Sequence, residues 1–159
     1  MTQPVPEMMT LLLEIGEQSS QLWLSQPDAA PSHYPLAFGS HAIQPGPFRH
    51  APPTPLELER AIMVVEDELM RIAPQIPPGL QLTLRSQPSL AEALGDNQLD
   101  RDLVEQAFGQ LAAMAEGDPL AASLLPRDEH FAAVLLIVRE WLHHGQRERA
   151  DRGVGINKW

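Results

Sequence analysis

The sequence predicts a mainly α-helical protein, built as an irregular bundle of four to five helices with at most a small two- or three-stranded sheet. Three observations support this prediction. A capped amphipathic helix begins near residue 54, a strongly apolar run fills 128–144, and only 79–86 shows a clear strand alternation. A chain of 159 residues is long enough to bury one core, so we expect a single domain over 1–159.

The segment 54–73 carries the clearest helix signals. Thr54 is expected at the N-cap, Pro55 in the first helical position and Glu57 two residues further on, which together form a capping box. Asp67 and Arg71 have the spacing of an ion pair within one helix. The apolar residues of the segment recur at helical spacing and predict one buried face: Leu58, Ala61, Ile62, Val65, Leu69 and Ile72.

Three further helices are expected in the second half of the chain. The segment 128–144 is apolar around most of its circumference, which is typical of a central helix. The segment 99–116 has an amphipathic pattern, and 88–94 predicts a short helix that ends at Gly95.

The N-terminal region is predicted as a helix over 5–25, within a segment 1–25 that is free to dock late on the domain. Residues 26–53 form a Pro- and His-rich loop, because prolines at this density exclude a helix. Within that loop Tyr34–Ile43 is a candidate edge strand. The alternating segment 79–86 needs a strand partner, either this candidate or the tail 154–158.

Composition excludes several classes of function. A net charge of −10 repels the phosphate backbone of nucleic acids. No apolar run approaches the roughly 20 residues that span a bilayer, and the opening residues lack the pattern of a secretory signal. The absence of cysteine removes disulfide and thiolate chemistry and favours the cytoplasm. The basic residues of the tail, Arg147, Arg149, Arg152 and Lys158, are expected to be solvated.

The leading functional hypothesis is a non-enzymatic accessory protein that binds a protein partner or a second copy of itself. The glycine-rich, serine-hydrolase and zinc-protease signatures are absent from the sequence. Methionines adapt to protein partners, and large aromatic residues near chain termini often anchor interfaces. The predicted interface residues are Trp23, Met63, Met70 and Trp159.

The alternative hypothesis is a carboxylate–histidine metal site or a metal-dependent enzyme. Glu140 and His143 are three residues apart, which places both side chains on one face of a helix, as in di-iron bundles. Glu59 and Glu66 on the capped helix would complete the ligand set. An ordinary ion pair of Glu140 explains the same spacing, so no cofactor is expected under the leading hypothesis and a divalent metal only under this one.

A second group of metal-ligand candidates lies in the Pro-rich loop. His33, His41 and His50 fall within one segment, with His130 as a further member, and histidine is the commonest ligand of transition metals. Their spacing matches no standard site. Polar residues in a solvated loop are the preferred explanation.

Overall fold

The computed structural model describes residues 9–43, 46–77, 80–95, 98–121, 125–145 and 156–158. It shows an α/β fold, in which a mixed six-stranded sheet packs against a layer of helices. The prediction of a mainly α-helical bundle is therefore wrong. Its error comes mostly from the first quarter of the chain, where strands stand in place of the predicted helix.

The sheet has the strand order β3-β2-β1-β4-β6-β5. Strand β1 is antiparallel to β2 and parallel to β4, and β4 is parallel to β6. The strands are β1 (Thr10–Ile15), β2 (Ser20–Gln26), β3 (Ala29–Leu36), β4 (Gln81–Ser86), β5 (Gln98–Leu99) and β6 (Ile156–Lys158). The helices are α1 (Pro55–Ile72), continued by a short 3-10 turn (Ala73–Gln75), α2 (Leu90–Leu94), α3 (Arg101–Ala115) and α4 (Glu129–Gly145).

The helix predicted over 5–25 is a β-hairpin from residue 10 onward, and residues 1–8 lie outside the described part of the chain. Two alternating runs, each with buried side chains at every second position, flank the four residues Gly16–Ser19. This period of two is that of a strand with one face on the core. The buried positions are Leu11, Leu13 and Ile15 in β1, and Ser20, Leu22 and Leu24 in β2.

The region predicted as a loop over 26–53 contains β3, which pairs with β2 at the edge of the sheet. Pro31 and Pro35 lie within this strand. A proline cannot donate a ladder hydrogen bond, so it is tolerated at an edge whose outer side has no partner strand. The candidate strand Tyr34–Ile43 corresponds to the end of β3 and an isolated bridge between Gly39 and Ala42.

The strand predicted over 79–86 is confirmed as β4. Its partners are β1 on one side and β6, from the predicted tail segment, on the other. It does not pair with Tyr34–Ile43. The connection from β3 to β4 contains α1, and the path from β4 through β5 to β6 contains α2, α3 and α4. Helices α1, α2 and α3 all contact α4, so the helices form one layer.

The helix predictions from residue 54 onward are confirmed. Thr54 and Glu57 form the predicted capping box of α1, and Asp100 caps α3 through the amide of Leu103. Helix α4 is central, in contact with α1, α2 and α3. Its residues from Phe131 to Val138 are all buried. Among the described residues, no helix is long and apolar enough to cross a membrane.

Candidate site at the carboxyl edge of the sheet

The parallel strands β1 and β4 are neighbours whose chain connections leave in opposite directions, β1 toward β2 and β4 toward β6. Open α/β sheets bind their ligands at such a switch point, beyond the carboxyl ends of the strands. The loop after β3 and the N-termini of α1 and α4 lie at the same edge, since Arg127 donates to the carbonyl of Ala51 and His130 contacts that of Ser40. This carboxyl edge is the candidate functional site.

The β1–β2 turn, Gly16–Ser19, is held at this edge by the loop after β3. The amide of Ser40 donates to the carbonyl of Gly16 at 2.9 Å, and the amide of His41 donates to that of Glu17 at 2.8 Å. The buried hydroxyl of Ser20 donates to the carbonyl of Phe38 at 2.8 Å. The two segments therefore form one clamped unit.

Gly39 is required for this close approach. A Cβ atom at this position would lie 2.4 Å from the carbonyl oxygen of Glu17 and 2.5 Å from that of Gly16. Both contacts are with backbone atoms, which cannot swing aside as a flexible side chain would. Any larger residue at Gly39 must displace the β1–β2 turn.

The hydrogen bonds of Ser40 and His41 to the carbonyls of the turn, which we call the clamp, also fix the direction of the turn's amides. In a trans peptide the N–H points opposite to the preceding carbonyl. Because the carbonyls of Gly16 and Glu17 point at the loop after β3, the N–H groups of Glu17 and Gln18 point away from it. Residues Glu17, Gln18 and Ser19 are exposed. These two amides and the Ser19 hydroxyl are hydrogen-bond donors on an exposed turn.

Two histidines lie beside the clamp. The rings of His41 and His130 stack with their centroids 3.7 Å apart. His130 Nδ1 donates to the carbonyl of Ser40 at 3.1 Å, while His41 Nδ1 is 3.0 Å from Ser40 Oγ. Ser40 is 1% exposed, so this serine–histidine contact lacks the access that a nucleophile needs. The pair instead joins the clamp to the start of α4.

Glu57 fixes the segment that leads into α1. Its carboxylate accepts from the amides of Arg49 at 2.7 Å and Thr54 at 3.0 Å, and it lies 3.0 Å from His50 Nδ1. Burial by itself would raise the pKa of Glu57. The two amides and His50 outweigh burial, and the pKa lies below its ordinary value. Glu57 is thus an anion at neutral pH that holds the loop before α1.

On the face of the sheet opposite the helices, polar contacts cross the four strands β4, β1, β2 and β3. Glu14 lies beside Arg85 in the register of β1 and β4, and the Arg85 guanidinium donates to it at 2.9 Å. Trp23 donates its Nε1–H to the other Glu14 oxygen at 3.1 Å. The Trp23 ring stacks on His33, which also contacts Gln21. Glu14, at the end of β1, brings this cluster next to the β1–β2 turn.

The loop histidines predicted as metal ligands are placed in three different environments. His33 lies on the sheet face against Trp23, His41 stacks on His130, and His50 pairs with Glu57. Of these candidates the structure brings only His41 and His130 together. Among the described residues no group of three or more His, Asp or Glu side chains is arranged to hold a metal ion.

The helical metal candidates are also dispersed. Glu59 is exposed and Glu66 half-buried on α1, and His143 is exposed near the end of α4. Glu140 is 2% exposed and accepts from the Arg139 guanidinium at 2.7 Å. Arg139 also donates to Glu105 at 3.1 Å and lies over the ring of Phe108. Burial lowers the pKa of Arg139, but the carboxylates of Glu105 and Glu140 raise it by more. The net shift is upward, so the guanidinium stays charged.

The predicted interface residues differ in exposure. Met63 and Met70 are 62% and 54% exposed on α1, whereas Trp23 is half-buried on the sheet. Trp159 and the arginines of the tail lie outside the described residues. The predicted pair of Asp67 with Arg71 is replaced by Glu68 with Arg71 at 3.0 Å.

The β1–β2 turn and Ser40 were not candidates in the sequence, because the helix predicted over 5–25 concealed the turn. The available signal was the four-residue break Gly16-Glu17-Gln18-Ser19 between two alternating apolar runs, which is typical of a hairpin.

Solved structures show where this fold recurs. The chain is similar in fold to the Ppx/GppA enzyme of Aquifex aeolicus, with a TM-score of 0.67 at 15% identity over 97% of this chain. An exopolyphosphatase from Cytophaga hutchinsonii matches with a TM-score of 0.54 at 14% identity over 98% of the chain. An exopolyphosphatase-like protein matches with a TM-score of 0.63 at 12% identity over 94% of this chain.

The matches cover nearly the whole of this chain. The chain spans only 54–55% of their length. A scan of the sequence against protein-family models finds no match, and a search of curated proteins finds none either. The similarity therefore shows the fold. It also contradicts the leading hypothesis of a non-enzymatic accessory protein, since the structural neighbours are enzymes.

Proposed function

We propose that this chain is a domain of a phosphatase-type enzyme and that it binds phosphate chains at the carboxyl edge of its sheet. Similarity of fold to Ppx/GppA enzymes and exopolyphosphatases supports the class of activity. The β1–β2 turn of this chain supports the location of the phosphate site at the carboxyl edge. The reaction is hydrolysis of a phosphoanhydride bond, in which water attacks a terminal phosphorus and orthophosphate is released.

The observation that carries the proposal is the clamped turn Gly16–Ser19. The loop after β3 binds two of its carbonyls, so the amides of Glu17 and Gln18 point away from that loop, and Ser19 is exposed in the same turn. Such donors fit the oxygens of a phosphate group. Because Gly39 and the hydrogen bonds hold the turn in place before any ligand arrives, little ordering cost remains for binding.

The charge of the site sets a condition on binding. Glu17 lies within the turn, and the chain as a whole has a net charge of −10, so a bare polyphosphate anion is repelled. The described residues contain no ready-made ligand cage for a metal. Mg²⁺, however, is commonly held by one or two carboxylates together with substrate phosphates. The Glu17 carboxylate fits this role.

A divalent cation would supply charge neutralisation between Glu17 and the phosphates. The chain's residues do the rest: the two amides and Ser19 bind phosphate oxygens, and the clamp orients them. The chain spans about half of the solved structures that it matches. We therefore propose that hydrolysis also uses a second domain that faces this edge of the sheet. A cytoplasmic location, favoured by the absence of cysteine, belongs to the same proposal.

Calorimetric titration with tripolyphosphate tests the binding step. We expect binding in the presence of Mg²⁺ and none when EDTA replaces it. Gly39→Ala should abolish binding because its Cβ displaces the turn. Gly109→Ala is the matched control, since a Cβ there meets no atom within 4 Å and binding should be unchanged.

Two further measurements complete the test. Glu17→Gln should retain a folded protein by circular dichroism but lose the Mg²⁺ dependence. Release of orthophosphate from tripolyphosphate, followed with and without Mg²⁺, reports on hydrolysis. The absence of tripolyphosphate binding by the folded chain in Mg²⁺, or equal binding by Gly39→Ala, would show that the turn is not a phosphate site.

A further inference from the structure

Helix α1 binds the backbone of the chain at the point where β3 ends and the loop after it begins. The amide of Ala37 donates to Glu68 Oε1 at 2.9 Å, and Arg71 Nη2 donates to the carbonyl of Pro35 at 2.9 Å. The same Arg71 nitrogen also donates to Glu68 Oε1 at 3.0 Å. One acid and one base of α1 therefore bind one donor and one acceptor of this backbone, and they also bind each other.

These two backbone groups lie on the outer side of the edge strand. Strand β3 stands at the end of the strand order, where it pairs with β2. In an antiparallel ladder, backbone groups point alternately toward the partner strand and away from it. The Pro35 carbonyl is bound by Arg71, so it points away from β2, and Ala37 lies two residues further along on the same side. The Glu68–Arg71 pair therefore takes the place of a further strand at this end of β3.

The bonds to the backbone matter more than the ion pair itself. The hydrogen bond from Arg71 lowers the pKa of Glu68, and the amide of Ala37 lowers it as well, which together outweigh the opposite effect of burial. Glu68 is thus an anion at neutral pH. The Arg71 side chain is 53% exposed, and an ion pair in solvent contributes little to stability. A hydrogen bond from a backbone amide to a carboxylate is stronger than one to a neutral acceptor.

The bound segment leads directly into the clamp, because Ala37 is three residues before Ser40. Leu36 and Phe38, on either side of Ala37, are buried in the core. Apolar burial has no preferred direction, whereas a hydrogen bond does. The buried side chains therefore set the depth of the segment, and the hydrogen bonds to α1 set the direction of its peptide groups.

We propose that Glu68, supported by Arg71, positions the loop after β3 and thereby the β1–β2 turn that the clamp holds. Glu68 is a positioning residue, which acts on the turn through Ala37 and the clamp. Its effect on ligand binding rests on the proposed phosphate site. Its effect on the clamp does not, so the two can be measured separately.

Hydrogen exchange of the full chain measures the effect on the clamp. Glu68→Ala should speed exchange of the Ser40 and His41 amides by about tenfold, which is the effect of losing a hydrogen bond to a charged group. Glu68→Gln keeps an oxygen that accepts from Ala37 and should restore most of the protection. Asp67→Ala is the matched control, since it removes a carboxylate from the neighbouring, exposed position of α1. It should leave the exchange of both amides unchanged.

The amide of Gly95 separates positioning from a general loosening of the fold. It donates to the carbonyl of Ala91 at the end of α2, so a different local opening exposes it to solvent. Its exchange rate should be the same in Glu68→Ala as in the original chain. Equal acceleration at Gly95 and at the clamp amides overturns the proposal, as do unchanged rates at Ser40 and His41.

Titration with tripolyphosphate in Mg²⁺ measures the effect on the proposed site. Glu68→Ala should raise the dissociation constant by about threefold or more, because binding then includes the cost of ordering the loop. Asp67→Ala should not raise it, although it removes the same charge. If the original chain binds no tripolyphosphate while Glu68→Ala still frees the clamp amides, the proposed function fails and the positioning role stands. Freed clamp amides with unchanged affinity overturn the link from the loop to the turn.

Discussion

Helices α1 and α4 pack side by side, yet they relate to the rest of the molecule in opposite ways. Helix α4 is enclosed, and its residues from Phe131 to Val138 are all buried. Helix α1 is two-sided, with one apolar face in the core and a second apolar row in solvent. Burial of α4 serves the fold alone. The exposed apolar side chains of α1 lie outside the core, so substitutions there should change the stability of the fold little.

The comparison also covers the carboxylates of the two helices. Glu57, at the start of α1, is held by backbone amides and fixes a loop at the carboxyl edge. Glu140, in α4, is buried beside Arg139. Both are buried anions, but the first organises a candidate site and the second a contact between helices. Substitutions in the two helices should therefore differ in size and kind.

The largest effect is expected inside α4. Leu135 is fully buried, and Leu135→Ala should lower the free energy of unfolding by about 3–4 kcal/mol, because it leaves a cavity in addition to the lost apolar contact. Urea denaturation followed by circular dichroism measures this. A loss below about 1 kcal/mol would contradict the enclosed position of α4.

The second effect concerns the charge pair of α4. Arg139→Met preserves much of the apolar contact with Phe108 but removes the guanidinium from Glu105 and the buried Glu140. We expect a loss of about 2–3 kcal/mol, below the cost of a fully buried pair because Arg139 is partly exposed. The same denaturation experiment measures the loss. Arg60→Met on α1 is the control, and it should change stability by no more than about 0.5 kcal/mol.

A smaller effect is expected at the start of α1. Glu57→Gln keeps the shape of the side chain but presents an amide NH₂ to donors that Glu57 accepts from, so we expect a loss of about 1–2 kcal/mol. The pKa of Glu57 is lowered in the folded state. Its stabilisation is therefore complete above the unfolded pKa of about 4.3 and disappears as pH falls through the lower folded value.

Denaturation of both proteins across the acid range measures that dependence. The difference in unfolding free energy between the original chain and Glu57→Gln should be constant near neutral pH and should shrink at acid pH. A difference that grows on acidification would show that the sign of the pKa shift is wrong.

The sequence predicted the elements after residue 53 better than those before it, for a physical reason. The capping box at Thr54 and Glu57 and the helical period of α1 are local, so they are visible within a few residues. Strand β4 was likewise visible from its alternation. The hairpin of β1 and β2 was misassigned because the consecutive leucines Leu11, Leu12 and Leu13 also satisfy part of a helical stripe.

The candidate site could not be predicted in the same way. The clamp brings the β1–β2 turn together with Ser40 and His41, which lie more than one strand away in sequence and meet only once β2 and β3 pair. His130 lies ninety residues from Ser40, whose carbonyl it contacts. Contacts of this range depend on strand order, which propensity and period do not specify. The sheet order had to be known before the site could be seen.

The smallest change in stability is expected at Met63, on the exposed side of α1. Met63→Ser removes an apolar side chain that is 62% exposed, so the chain should change its unfolding free energy by less than about 0.5 kcal/mol. The variant and the original chain should therefore denature together in urea. A loss as large as that of Leu135→Ala would show that Met63 belongs to the core, and α1 would then resemble α4.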